Sequence, residues 1–310
     1  MSVENLLWRE KPNPEKFRFT VPGSLAARFA SCPEGIKAAS LDKELPQDAE
    51  SDFRMVLDWV ADWALLLKQS PGFVLPVLPE SLDDLSLRYA YSLICRALGE
   101  LNNRYGYFFD VRDQGLDYKK EAIPVSKTKD STGFHTDSTA SNYFPDVVGL
   151  LCLHPAAVGG DSLLTNAANL YENMRQHHPE FVDVLSSELL RDVITPGTVQ
   201  NMEAILANKV PVFQQDKDGF LFRYMRFWTE KAYEKTGIQP PAGLNESLDA
   251  VDDFFNQDEN LISFRMERGA ILLINNRFLC HNRTAFLEPE KDEPARLLVR
   301  AWVNFPATVA

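Results

Sequence analysis

Gly133-Phe134-His135-Thr136-Asp137-Ser138, near the middle of the chain, is the stretch around which the rest of the sequence reads. His135 and Asp137 are two residues apart, so in an extended segment both side chains leave the same face of the backbone. An imidazole nitrogen and a carboxylate oxygen can then reach one common point. One imidazole and one carboxylate are two of the three ligands of a 2-His-1-carboxylate facial triad, the donor set that holds ferrous iron and leaves positions open. Such a site needs a second histidine from elsewhere in the chain and groups that serve the open positions.

With 310 residues, 45% hydrophobic and 25% charged, the chain can bury a sizeable core as one large domain or two modest ones. A net charge of -12 argues against nucleic acid or an anionic membrane surface as the main partner, since both need a basic face. It leaves room for a local basic pocket that takes a small anion. No run of about eighteen apolar residues is present, so no membrane span is expected. Met1-Ser2-Val3-Glu4-Asn5 lacks the basic and apolar regions of a signal peptide. Four scattered cysteines, Cys32, Cys95, Cys152 and Cys280, fit a thiol-bearing cytoplasmic protein better than a disulfide-stapled secreted one. No CxxC or Cys/His cluster suggests structural zinc.

Residues 1 to about 50 are polar and weakly periodic, apart from a short strand over 16–21 before the Pro22-Gly23 turn. Apolar residues from Phe53 to Leu67 recur at spacings of three and four, which predicts a helix over 49–69. A short strand over 72–77 follows, then a helix over 79–98 stopped by Gly99. Residues 105–111 read as a strand. The charged, irregular residues 112–132 fit two readings, a lid beside the site or a solvated surface loop. The nearly continuous apolar run 147–153 predicts a central strand. After the Gly159-Gly160-Asp161 turn, a strand over 162–165 leads to Asn166, placed to cap a helix to about 175, and 179–189 is a further helix. Residues 210–213 and 220–224 are two strands joined by a turn at 216–219, and 244–255 is a helix. The segments 262–266, 270–275 and 296–303 are strands, the last with Leu298, Arg300 and Trp302 on one face and Leu297, Val299 and Ala301 on the other. Roughly eight to ten strands with inserted helices and no linker predict one α+β domain with a double-sheet or barrel core.

Of the five histidines, His177 and His178 sit at a polar helix boundary, and His154 ends the apolar strand directly before Pro155. His281 follows the buried strand Ile271-Leu272-Leu273-Ile274-Asn275-Asn276 by a short link, where side chains emerge at a sheet end, and is the candidate third ligand. In many iron sites of this kind a keto acid fills two open positions, and its far carboxylate needs a fixed cation. Arg296 and Arg300 lie on one face of the last strand; they could be exposed arginines in weak surface ion pairs, but the apolar neighbours Leu297, Leu298, Val299 and Trp302 favour burial. Arginine suits the task because its planar fork binds a carboxylate in bidentate fashion and stays charged when buried.

Four segments carry a family resemblance: His135-Thr136-Asp137, then Gly159-Gly160-Asp161-Ser162, then Asn275-Asn276-Arg277 leading to His281, then Arg296-Leu297-Leu298-Val299-Arg300. In order and spacing they resemble the taurine dioxygenase and clavaminate synthase-like family of iron(II)- and 2-oxoglutarate-dependent oxygenases. The Gly72-Phe73-Val74-Leu75 strand and the helix after it are similar to the family's N-terminal portion. The likeness covers about residues 70–305, with 1–70 a family-variable part, so 1–310 is expected to form a single oxygenase domain. It implies a double-stranded β-helix (jelly-roll) core with flanking and inserted helices. It also implies that His135, Asp137 and His281 bind the iron and carry catalysis, and that Arg296 grips the C5 carboxylate of 2-oxoglutarate. Ser162 falls where the family often has a threonine that assists this carboxylate, and Arg300 matches a position that in some members meets an anionic group of the substrate. The gap from His281 to Arg296 is closer to the clavaminate synthase-like branch than to taurine dioxygenase itself, which weakens the case for a sulfonate substrate. The presence of Asp137 argues against a halogenase, where chloride takes the place of the missing carboxylate.

The resemblance thus implies Fe(II) as metal, with 2-oxoglutarate and O2 as co-substrates. The activity expected is hydroxylation of an unactivated C–H bond of a small metabolite, an amino acid or related carboxylate, with release of succinate and CO2. Desaturation or cyclisation in natural-product biosynthesis is the alternative with the same cofactors. Arg223-Tyr224-Met225-Arg226-Phe227-Trp228 mixes cations and aromatics, so Arg223 and Arg226 are candidate substrate contacts; the same stretch reads equally as aromatic core with two snorkelling arginines. Two readings of other classes are a non-catalytic jelly-roll binding protein and a zinc hydrolase, the latter leaving Arg296 without a role. The oligomeric state has no signature in the sequence.

Overall fold

The strand Val147–His154 is apolar at nearly every position because it lies at the centre of a seven-stranded sheet that is covered on both faces. The computed structural model describes all residues except 1, 34–35, 44–48, 105, 116–127, 139–142, 193–201, 218, 289, 291–292 and 307–310. On either side of the central strand run Ile271–Asn275 and the final strand Leu297–Asn304, both antiparallel to it. Phe73–Val77 pairs with Ile271–Asn275, and Arg18–Thr20 closes that edge in parallel to Phe73–Val77. Glu100–Leu101 and Phe109–Val111 pair with the final strand. A second, three-stranded antiparallel sheet orders Ile262–Phe264, Ser162–Asn166 and Leu279–Arg283. The architecture is α+β, a mixed sheet with packed helices, as expected.

Period-two alternation divides the large sheet's side chains between two cores. On one face Val147, Leu151, Leu273, Val299 and Ala301 belong to a core shared with the helices Gly23–Ala30, Glu50–Ala61 and Asp84–Leu98. On the other face Val148, Leu272, Ile274, Leu298 and Trp302 share a core with Leu164, Leu279 and Cys280 of the small sheet. Leu248 and Phe255 of the helix Leu244–Phe255 join that second core. The second core holds the site.

Several boundaries differ from those predicted. The helix expected over 49–69 is broken into Glu50–Ala61 and Leu65–Lys68. The turn between them buries Trp63 completely, stacked on Phe19 and edge-on to Trp59. The helix expected from 79 begins at Asp84, because the Asp83 side chain accepts the Ser86 N–H at 2.7 Å and so caps it there. The strand expected over 105–111 is ordered as Phe109–Val111, with residue 105 outside the described residues. The helix expected over 179–189 ends at Leu185, since Leu189–Leu190 pairs with Lys209–Val210. Sixteen strands occur among the described residues, more than the eight to ten expected, because half of them are only two or three residues long and show no period. Of the segment 112–132, open between lid and loop, residues 116–127 lie outside the described residues.

Asn166 joins the small sheet to the helix Ala167–His177. Its Oδ1 accepts the Ala168 and Asn169 N–H groups at 2.8 and 3.4 Å, and its Nδ2 donates to the Leu6 carbonyl at 2.8 Å. Asn166→Ala should lower the unfolding free energy by about 2 kcal/mol, part from the cap and part from the lost buried bond. Asn166→Ser, which keeps a capping oxygen, should lose about half as much. Denaturant unfolding followed by circular dichroism checks the order, and an Asn166→Ala midpoint equal to wild type would contradict it.

Candidate metal centre

His135 belongs to no extended strand, yet its backbone is locked to His281. The His135 amide donates to the His281 carbonyl and the His281 amide to the His135 carbonyl, both at 3.0 Å. A reciprocal antiparallel pair of this kind places the two side chains on the same face, and the ring centroids are 4.3 Å apart. His281 therefore stands inside the strand Leu279–Arg283, not on a bare link beyond Ile271–Asn275. The next residues are fixed in turn. Thr136 donates its amide to the Tyr224 carbonyl at 2.9 Å and accepts the Tyr224 amide on Oγ1 at 3.0 Å. Buried Asn276 accepts the Asp137 amide at 2.8 Å and donates to the Asp137 carbonyl at 3.2 Å.

His135 Nε2 and His281 Nε2 lie 3.5 and 3.6 Å from Asp137 Oδ1, and the three ligand atoms are all within 4.8 Å of one another. An ion with bonds of about 2.1 Å separates its ligand atoms by roughly 3.0–3.5 Å, so one ion fits among them with little movement. His135 Nδ1 meets the Gly133 carbonyl at 2.9 Å, a contact that with Nδ1 as donor leaves the Nε2 lone pair for a metal. Burial, and then the neighbouring His135, push the His281 pKa down to about 3, so its imidazole is in the neutral, ligating form. Burial works against the Asp137 carboxylate, but Arg300 and the His135 contact prevail and hold its pKa well below the ordinary carboxylate range.

The outer oxygen of Asp137 is held separately. Trp302 Nε1 donates to Oδ2 at 2.6 Å, and Arg300 Nη1 donates to it at 3.2 Å. The Arg300 guanidinium lies over the Phe109 and Trp302 rings, 5.3 and 4.6 Å from their centroids. Arg300 thus lies on the strand face predicted for it and lines the cavity, with one arm on the carboxylate. Trp302 was legible as a neighbour on that face, but nothing in the sequence marks its indole N–H as a partner of Asp137.

The triad opens onto a cavity whose apolar wall is Val111, Leu150, Leu272 and Leu298. Ser162 and Arg296 line it too. Arg296 is 4% exposed, burial lowers its pKa, and its Nη1 has no hydrogen-bond partner among the described residues. Gly160 makes this approach possible, and Gly159 lets the turn pack against the backbone at Ala285. Gly160 has φ +72, and a Cβ there would stand 3.2 Å from Arg296 Nε; a Cβ on Gly159 would stand 2.3 Å from the Ala285 carbonyl oxygen. Arg283, also in the lining, was not singled out from sequence, although it stands two residues after His281 on the same strand.

Arg223 and Arg226 do not line this cavity. Arg226 opens the helix Arg226–Thr236, which turns it toward Glu230, Asp249 and Asp252, and it pairs with all three at 2.6–2.8 Å. The Arg223 guanidinium lies 4.9 Å from the centroid of the Phe144 ring. His154 pairs with Asp84 at 2.9 Å, which agrees with a structural role at the strand end.

Residues 32–302 match the family model described as taurine catabolism dioxygenase TauD, TfdA family. The chain is 25% identical over 201 residues to FR-33289 synthase of Streptomyces rubellomurinus, a match that covers 63% of this chain and 56% of that protein. It is 24% identical over 183 residues to gamma-butyrobetaine dioxygenase of Homo sapiens, covering 59% and 46%. It is 30% identical over 190 residues to a uridine-5'-phosphate dioxygenase of Streptomyces sp, covering 59% and 65%. The chain spans about half the length of the curated relatives it matches. In fold it is similar to asparagine oxygenase in complex with Fe(II), 2S,3S-3-hydroxyasparagine and succinate, with TM-score 0.66, 18% identity and 93% of each chain covered. It is also similar to the non-heme iron oxygenase OrfP in complex with Fe and alpha-ketoglutaric acid, with TM-score 0.65, 15% identity and 93% of each chain covered. With 32–302 matched and a His-Asp-His cluster at the heart of the fold, this chain belongs to the taurine catabolism dioxygenase TauD, TfdA family.

Proposed function

We propose that the protein is an Fe(II)/2-oxoglutarate-dependent dioxygenase that hydroxylates an unactivated C–H bond of an amino acid or related small carboxylate. The observation that carries this reading is the buried Arg296, with an N–H lacking a partner among the described residues, in the same cavity as the three-residue cluster. Two imidazoles and one carboxylate suit ferrous iron with open positions, and an orphaned guanidinium N–H suits a carboxylate. His135, Asp137 and His281 would hold the iron, and Arg296 with Ser162 would hold the distal carboxylate of 2-oxoglutarate. When bound, these groups supply the oxidising power for the C–H bond, with O2 consumed and succinate and CO2 released.

The chain's own residues do the positioning. Trp302 and Arg300 occupy Asp137 Oδ2, so that Oδ1 alone faces the histidines. Val111, Leu150, Leu272 and Leu298 exclude water from the reacting carbon. Arg300 retains further N–H groups for an anionic group of the substrate. The names of asparagine oxygenase and gamma-butyrobetaine dioxygenase support an amino acid or related carboxylate as the substrate class. We read the two sheets on either side of the site as a double-stranded β-helix (jelly-roll), in one domain over 1–310. Support for the single domain comes from Arg18–Thr20, which pairs with the sheet of the 70–305 core. No described helix is long and apolar enough to cross a membrane, and Cys32, Cys95, Cys152 and Cys280 are free thiols, which supports a cytoplasmic setting.

A panel of amino acids and related carboxylates, incubated with ferrous iron, 2-oxoglutarate and O2 and read by mass spectrometry, should yield succinate and a product one oxygen atom heavier. A product two hydrogens lighter would mean desaturation or cyclisation instead. Alanine at His135, Asp137 or His281 should abolish succinate formation, and chelator-stripped protein should recover with ferrous iron but not with zinc. Arg296→Ala should raise the KM for 2-oxoglutarate by about 10–100-fold; an unchanged KM would sink the co-substrate assignment. Trp302→Phe should weaken Mn(II) binding about tenfold, measured by equilibrium titration of the stripped protein.

A further inference from the structure

Arg283 stands two residues past His281 on one strand, so its side chain leaves the same face, and it lines the same cavity. Its partner across the small sheet is Ser162, another lining residue. Arg283 is 9% exposed and Arg296 4%. Their guanidinium carbons lie 4.8 and 4.9 Å from the centroid of one ring, that of Phe286, which brings the two cations to the same end of the cavity. Arg283 Nη2 donates to the Asp130 carbonyl. Its Nε, like Nη1 of Arg296, has no hydrogen-bond partner among the described residues. Glu288 stands close by, but it accepts the backbone N–H of Arg296 at 2.7 Å.

Glu288 offsets part of the charge of both arginines, but a buried N–H on each, without a partner among the described residues, is costly unless an acceptor completes it. A carboxylate has two oxygens and about four lone pairs, enough to accept from both forks at once. We propose that Arg283 joins Arg296 in a two-arginine grip on the distal carboxylate of the keto-acid co-substrate. This rests on the 2-oxoglutarate reading above and adds to it a second, specificity-determining cation.

The test uses glutarate, a dicarboxylate without the keto group, titrated calorimetrically into metal-free protein at several salt concentrations. Mn(II) binding is measured in parallel. Arg283→Gln should weaken glutarate binding about tenfold or more and flatten its salt dependence, with Mn(II) affinity unchanged. Arg283→Lys, which keeps the charge but not the fork, should fall between. If Arg283→Gln binds glutarate like wild type while Arg296→Gln does not, the grip has one arm and the proposal fails, but the co-substrate reading stands. Loss of Mn(II) affinity in Arg283→Gln would also overturn it, since Arg283 would then act by holding Asp130 and the segment leading to His135. Wild type with no affinity for glutarate would overturn the grip, whereas the co-substrate reading falls only if 2-oxoglutarate neither binds nor turns over with ferrous iron present. Should Arg283→Gln not fold, Arg283→Lys decides: a loss of about threefold or more with Mn(II) binding intact supports the grip, and no loss refutes it.

Discussion

The pair of main-chain hydrogen bonds between His135 and His281 is the constraint on which the site depends. Two histidines far apart in sequence are made neighbours by backbone geometry, before any metal contributes. Closing so long a loop costs little more entropy than closing a short one. The strand Leu279–Arg283 is already held by Ser162–Asn166, so the pairing docks a short segment onto a formed template. The bonds from Thr136 to Tyr224 and from Asp137 to Asn276 continue the same logic, residue by residue. The two histidines are thus aligned by amides and carbonyls that no side-chain substitution removes, whereas Asp137 depends on the side-chain amide of Asn276.

The electrostatics of the cavity run against those of the chain. Among the described residues, a protein of net charge -12 lines its site with Arg283, Arg296 and Arg300 against a single carboxylate, Asp137. Net charge governs the far field, whereas a cleft's local potential is set by the few groups that face it. Cations in that setting favour an anionic ligand, and Arg300 among them keeps Asp137 ionised. The apolar wall opposite them lowers the local dielectric, which strengthens each of these interactions.

Much of this was legible in the sequence, for reasons that differ by residue. His135 and Asp137 were readable because period two holds even in a segment too short to count as a strand. Leu298, Arg300 and Trp302 were readable because the last strand is long enough for alternation to show. Gly159-Gly160 stood out as a turn, but only three dimensions reveal that Gly160 clears a path for Arg296. Arg283 was passed over because the strand Leu279–Arg283 has no alternating apolar pattern of its own, being buried at Leu279, Cys280 and Arg283 alike. Arg226 misled because a cation among aromatics reads the same whether it faces a cavity or the acidic helix Leu244–Phe255; the partners Asp249 and Asp252 are distant in sequence. Trp63 broke a helix that local periodicity favoured, an instance of burial overriding propensity.

The alternation of Val147–His154 has an evolutionary corollary. Leu150 faces the cavity while Leu151, the very next residue, belongs to the core beneath the helices. The cavity wall and the scaffold are therefore interleaved, odd with even, along one strand. A single inserted residue would exchange them wholesale, and substitutions chosen to suit a new substrate alternate with positions that must stay constant. Diversification of this pocket is confined to every second letter of its central strand, with loops the freer medium for change.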